Sequence, residues 1–240
     1  MNRFLLFAYG LACYAIFLGV FLYLIAFLAD LGVPKTVSSG AQGSVAAALA
    51  IDIGLMALFG LQHSIMARKG FKRALAQILP AAIERSTYVL AASVVLILLF
   101  AYWRPLPGIV WQAQSPALTD SLYLLGGVGW LLILLSTFLT NHFDLFGLRQ
   151  IYLNLVRKTY TPVAFKEHFF YRWIRHPMML GLLIAFWSTP LMSVSHLLFS
   201  AGMSVYILIG IHFEEAGLRA ELGQTYCDYM GRTVRMLPFY

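Results

Sequence analysis

Charge is what this sequence has least of. Asp, Glu, Lys and Arg make up 11% of its residues against 60% apolar ones, with a mean hydropathy of +0.77. That balance excludes an ordinary soluble domain and makes lipid the main solvent. Cysteine is nearly missing as well. Cys13 lies inside an apolar run and Cys227 near the C-terminus, too few and too differently placed for a disulfide framework. The six histidines show no metal-ligand spacing with Cys, Asp or Glu, so no metal is expected. There is no glycine-rich phosphate loop after a strand, no internal repeat and no low-complexity tail. The net charge of +7 has no soluble basic domain or recognition helix to carry it, which argues against nucleic acid as a partner and leaves membrane lipid.

Long apolar runs are what the sequence does have. A bilayer core about 30 Å thick needs roughly 20 apolar residues per helix, and the stretches 4–29, 45–67, 86–103 and 119–140 meet that length. The first run is longer than a secretory h-region and no small-residue cleavage signature follows it, so it is expected to stay as the first helix. The apolar run 178–213 is too long for one ordinary helix and is interrupted by Ser188-Thr189-Pro190. Proline removes a backbone donor and clashes with the preceding turn, so this run is expected to fold as a hairpin. Whether its short first arm crosses or re-enters is left open by length alone.

The expected architecture is all-α and integral to the membrane: four spans plus a C-terminal helical hairpin, with a short cytoplasmic C-terminal helix. The chain 1–240 reads as a single domain, with residues 1–142 as its four-helix part and 143–240, hairpin included, as its binding part. Fifteen of the 17 Lys and Arg residues fall on one face under this topology, and only Lys35 and Arg104 on the other. The positive-inside rule makes the crowded face cytoplasmic, with both termini and the segment 141–177 on it, as in a bacterial inner membrane.

Two polar clusters stand against this apolar background: Arg175-His176-Pro177 opens the hairpin and Glu214-Glu215 closes it. A hairpin returns both ends to one membrane face. Pro177 suits the first position of a helix, which sets Arg175 and His176 beside free amides and the positive dipole end, where a carboxylate or phosphate is favoured. Beyond the acids, Leu218, Leu222, Tyr226 and Tyr229 follow a helical spacing, expected to form one helix along the interface. Adjacent acids at a membrane helix are costly and point to function.

These motifs resemble those of the isoprenylcysteine carboxyl methyltransferase-like integral membrane methyltransferases. The shared pattern runs through Arg175-His176-Pro177 and Gly181, then Glu214-Glu215-Ala216-Gly217-Leu218, then Gly223, Tyr226 and Tyr229, and the basic ending Arg232 to Pro238. Met179 and Leu222 depart from it, standing where the family usually has tyrosine and phenylalanine. Gln62-His63-Ser64, Glu84-Arg85-Ser86-Thr87-Tyr88 and Asn141 to Leu148 look most like the methanethiol S-methyltransferase branch.

That resemblance implies transfer of a methyl group from S-adenosylmethionine to a small thiol, methanethiol, giving dimethyl sulfide. It assigns Arg175, His176, Pro177, Gly181, Glu214, Glu215, Tyr226, Tyr229 and Arg232 to the cofactor. The thiol needs a base, because an alkanethiol has a pKa of roughly 10, above the ~8.5 of cysteine. His63, His142 and His176 compete for that role. His142 is favoured, because Asn141 and Asp144 gather at the same helix end and a carboxylate there would orient the ring. His168, His196 and His212 read as interface residues. The alternatives on the same scaffold are methylation of prenylcysteine or phospholipid headgroups. A non-enzymatic transporter or assembly protein is disfavoured by the lack of inverted repeats and paired midplane charges.

Overall fold

The computed structural model describes residues 2–40, 43–163 and 167–236. The chain runs through α1 (Arg3–Ala29), α2 (Val45–Ala67), α3 (Lys69–Leu75), α4 (Glu84–Tyr102), β1 (Ile109–Gln112), α5 (Pro116–Thr140), α6 (His142–Leu145) and α7 (Leu148–Leu155). It continues through α8 (Pro177–Trp187), β2 (Leu191–Ser193), α9 (Val194–Leu222) and α10 (Gln224–Arg232). Among the described residues α1, α2, α4 with the turn before it, α5 and α9 are long and apolar enough to cross a bilayer. This is an all-α integral membrane protein, and the four expected spans lie where the apolar runs put them.

Two compact units form. One holds residues 1–108 and 141–164, the other 109–140 and 165–240. In the first unit α1 packs on α4 and α7, and α2 on α4. Leu6, Ile83 and Ile151 close one end of its core, while Phe27, Leu99 and Trp103 are fully buried at the other. Trp103 Nε1 donates to the Val37 carbonyl at 3.0 Å, and the Arg104 amide to the buried Asp52 Oδ1 at 2.8 Å. Both bonds tie the loop after α1 and the end of α4 into place.

The fourth span belongs to the second unit because of glycine. A Cβ on Gly129 would come within 2.7 Å of the Gly181 carbonyl and the Ala185 amide, and one on Gly181 within 2.7 Å of the Gly129 carbonyl. The backbones of α5 and α8 therefore touch directly, as small residues allow in lipid. The first arm of the hairpin runs alongside α5 from end to end. Tyr171, before α8, meets Thr140 at the end of α5 with 2.9 Å between hydroxyls, while the Ala113 amide, before α5, donates to the Pro190 carbonyl at 2.7 Å.

Eleven helical residues would rise only about 16 Å, and residues 188–190 carry the chain on from α8 to β2. Their polar backbone is satisfied inside the protein: Trp111 Nε1 donates to the Thr189 carbonyl at 3.0 Å, and β1 pairs antiparallel with β2. This strand pair was invisible in the sequence. His196 Nε2, 2.9 Å from the Phe186 carbonyl, and Ser200 Oγ, at 2.8 Å, serve the C-terminal end of α8. His196 is thus a buried structural residue and not the interface residue expected, while His168 and His212 are exposed.

A second correction concerns the C-terminal helix. α9 runs unbroken through Glu214-Glu215 to Leu222, and the chain turns at Gly223, whose φ of +58° suits glycine. Leu218 and Leu222 therefore lie on a different helix from Tyr226 and Tyr229.

Candidate functional site

Three stretches build the polar end of the second unit. Residues 173–176 run beside 233–235: Ile174 bridges Val234 in parallel, Val234 N donates to the Trp173 carbonyl at 2.9 Å, and the Arg175 amide to the Val234 carbonyl at 2.9 Å. This short ladder carries Arg175, His176 and Arg235 to one carboxylate, that of Glu215.

Glu215 is 1% exposed. Arg175 Nε donates to its Oε1 at 2.8 Å, His176 Nε2 stands 3.2 Å from the same oxygen, and Arg235 Nη2 donates to Oε2 at 2.6 Å. Arg175 Nη1 also donates to the carbonyls of Met230 and Thr233, which end α10. A carboxylate this deep is tolerable only because its charge and lone pairs are met at close range. Arg175 therefore fastens the C-terminal segment to α9.

Glu214, one residue earlier, differs sharply. Its side chain is 50% exposed, with Oε2 at 3.6 Å from His176 Nδ1. His176 precedes α8 without capping it through its side chain, and Pro177 occupies the first turn. The amides of Met178 and Met179 are thus the free donors that every helix start presents. An exposed carboxylate and an uncapped helix start lie on either side of His176.

Tyr226 and Tyr229, assigned to a cofactor in the sequence, are 1% and 2% exposed with rings 5.7 Å apart. Burial first, and then the charges of Glu215 and Glu214, push the Tyr226 phenol up to about 12. Burial raises Tyr229 as well. Tyr229 donates to the Tyr171 carbonyl at 2.7 Å. The two rings form the core of the cap that α10 makes on α9. Arg232, pairing with Glu167 and lying 6.0 Å over the Tyr229 ring, borders it. Gly181 sits in the contact of α5 with α8. The Leu237-Pro238 end of the motif lies outside the described residues, as does Lys166.

A second polar cluster lies in the first unit. Asn141, at a φ of +109°, caps α6 by accepting from the Asp144 amide at 3.2 Å. His142 is 7% exposed, and its Nε2 stands 2.7 Å from the Tyr14 hydroxyl, with the two rings edge to face. Burial lowers its pKa and so favours the neutral ring. Asp144 does not play the orienting part expected of it. Its Oδ1 accepts from Arg149 at 2.9 Å and its Oδ2 from Tyr160 at 3.2 Å, while Tyr14 holds His142. Nothing in the sequence signalled Tyr14, 128 residues away. His63 is stacked against Phe59, with Tyr88 donating to its carbonyl at 3.3 Å.

An integral membrane protein with a helix-hairpin module closed by His176, Glu214 and Glu215 is the class that the fold defines. The NnrU protein family matches residues 53–225, and the chain belongs to that family. It is 46% identical to a Mycobacterium tuberculosis protein named methanethiol S-methyltransferase, over 100% of this chain and 98% of the relative. A Crocosphaera subtropica protein of the same name is 42% identical over 100% and 94%, and nurim of Sus scrofa is 29% identical over 73% and 70%. No solved structure matches it.

Proposed function

We propose that this protein methylates methanethiol to dimethyl sulfide, with S-adenosylmethionine as the methyl donor, from the cytoplasmic face of a bacterial inner membrane. Methyltransferase activity and the thiol are supported by near-full-length relatives that carry that name. The donor is supported by the observation that carries the proposal: the free start of α8 and the half-exposed Glu214 flank His176.

That donor set fits S-adenosylmethionine. Its amino-acid carboxylate suits the amides of Met178 and Met179 with the helix dipole behind them. Its ammonium or ribose hydroxyls suit the Glu214 carboxylate. When bound, it supplies an electrophilic methyl group on sulfur. Arg175, Arg235 and Glu215 hold this end of the unit rigid, and Tyr226, Tyr229 and Arg232 close it.

His142 is assigned the thiol proton. An alkanethiol with a pKa of roughly 10 is almost wholly protonated at pH 7, so a base must act, and a buried imidazole kept neutral has the capacity. Asn141 fixes the turn that carries it, and Asp144 anchors that turn through Arg149. Tyr14 sets the ring's orientation.

Purified protein given S-adenosylmethionine and a panel of thiols, prenylcysteines and phospholipids tests the assignment by gas chromatography and lipid analysis. Dimethyl sulfide from methanethiol is the expected product. Methylated prenylcysteine or headgroup in its place would move the protein to another branch of the scaffold, and no methylated product would reject an enzyme.

A further inference from the structure

Between α1 and α4, in the first unit, lies a groove of about 450 Å³ lined by Ile16, Val20, Tyr23, Lys35, Ile97 and Phe100. We propose that it binds one phospholipid of the leaflet in which α1 ends, its acyl chain along the groove and its phosphate on Lys35.

The volume lies within the roughly 300–1,000 Å³ of ligand pockets. Val20 and Phe100 are buried and form the floor, while Ile16 and Ile97 are 41% and 44% exposed and form the rims. Gly19 widens the groove, since a Cβ there would meet nothing within 4 Å. Apart from Lys35 at one end, these groups are apolar or aromatic and lie on helices that cross the bilayer, so the occupant's long part must be apolar.

Lys35 supplies the other half of the argument. The Tyr23 hydroxyl donates to its carbonyl at 3.0 Å, and its own Nζ donates to the Ala101 carbonyl at 2.6 Å, at the end of α4. An ammonium has three donors, so two remain for an oxyanion. Arg104 adds a second cation at this end, while Asp52 is fully buried and bonded to the Arg104 amide. An apolar slot that ends at a pinned cation matches a chain joined to a phosphate and mismatches an uncharged lipid.

The proposal is tested by native mass spectrometry of the whole protein in detergent, titrated with phosphatidylglycerol or with diacylglycerol of the same chains. The wild type should retain one phosphatidylglycerol and prefer it about five-fold, the contribution of one lysine at a charged surface. Lys35→Arg should keep that preference, Lys35→Gln should sharply reduce it and leave what Arg104 alone supports, and Gly19→Leu should lower retention of both lipids. The proposal is overturned if Lys35→Gln discriminates as the wild type does, or if Gly19→Leu retains lipid unchanged.

Discussion

His176 and Glu215, 39 residues apart, meet at 3.2 Å because the α8–α9 hairpin returns the chain to the level at which it left. Glu215 also gathers Arg175 and Arg235, while Glu214 faces half into solvent beside the same histidine. Adjacent acids on one helix thus have different work.

Substituting these acids separates the two kinds. Glu215→Gln leaves the buried Arg175 guanidinium and the partly exposed Arg235 without their counter-charge and is expected to cost about 3–5 kcal/mol, read as a large fall in Tm in detergent. Glu214→Gln should change stability by less than about 0.5 kcal/mol, yet weaken S-adenosylmethionine binding by about 1.5–3 kcal/mol, as loss of a hydrogen bond to a charged group does. Calorimetric titration and thermal unfolding on both variants check this. Equal affinity in Glu214→Gln and wild type would remove Glu214 from the cofactor.

Packing of α5 on α8 gives a purely structural prediction. Gly129→Ala puts a methyl group 2.7 Å from backbone atoms of Gly181 and Ala185, whereas Gly126→Ala meets the Ser188 carbonyl at 3.1 Å. Overpacking of this kind costs typically ~1–3 kcal/mol, so Gly129→Ala should unfold at clearly lower temperature than Gly126→Ala. The reverse order would contradict the direct helix contact.

Acid should expose the buried state of His142. Its pKa is lowered by burial, so its contribution is complete above the unfolded value of ~6.5. That contribution is lost as pH falls from there through the lower folded value, because the unfolded chain binds the proton first. Wild-type Tm should drop as pH falls below about 6.5, and His142→Phe should flatten the drop. In turnover, His142→Ala should lower kcat about 10²–10⁴-fold with partial recovery at high pH, as loss of a general base does. Tyr14→Phe should lower kcat less and leave cofactor affinity alone. An unchanged pH–rate profile in His142→Ala would assign the proton to another group.

How much of this was legible follows from which forces act locally. The spans α1, α2, α4 and α5 could be placed because lipid demands unbroken apolar helices, and the hairpin because Pro190 interrupts a run too long for one. Nothing local announces the strand pair β1–β2, the ladder of 173–176 with 233–235, or Tyr14 against His142, since each joins residues far apart in sequence. α9 was cut short at Glu214 because two adjacent acids read as an end. Arg175 and its partners meet those acids in space and let the helix continue to Gly223. The grouping of α5 with the hairpin rests on glycines, whose significance appears only once the facing helix is known.

Topology offers an independent check. The topology proposed from the sequence, four spans and a hairpin, puts fifteen of the 17 Lys and Arg residues on one face, which the positive-inside rule makes cytoplasmic. A C-terminal fluorescent reporter should fold and emit, and a C-terminal alkaline phosphatase should be inactive. The opposite pair of results would invert the orientation.

Methyl transfer is tested most directly by following the methyl group itself. Purified protein in detergent is supplied with methanethiol and S-adenosylmethionine whose transferable methyl carries deuterium, and the headspace is read by gas chromatography with mass detection. Dimethyl sulfide with one deuterated methyl, formed in proportion to enzyme and lost in Glu214→Gln at low cofactor, is the predicted result. Unlabelled dimethyl sulfide, or none above the protein-free control, would contradict the account.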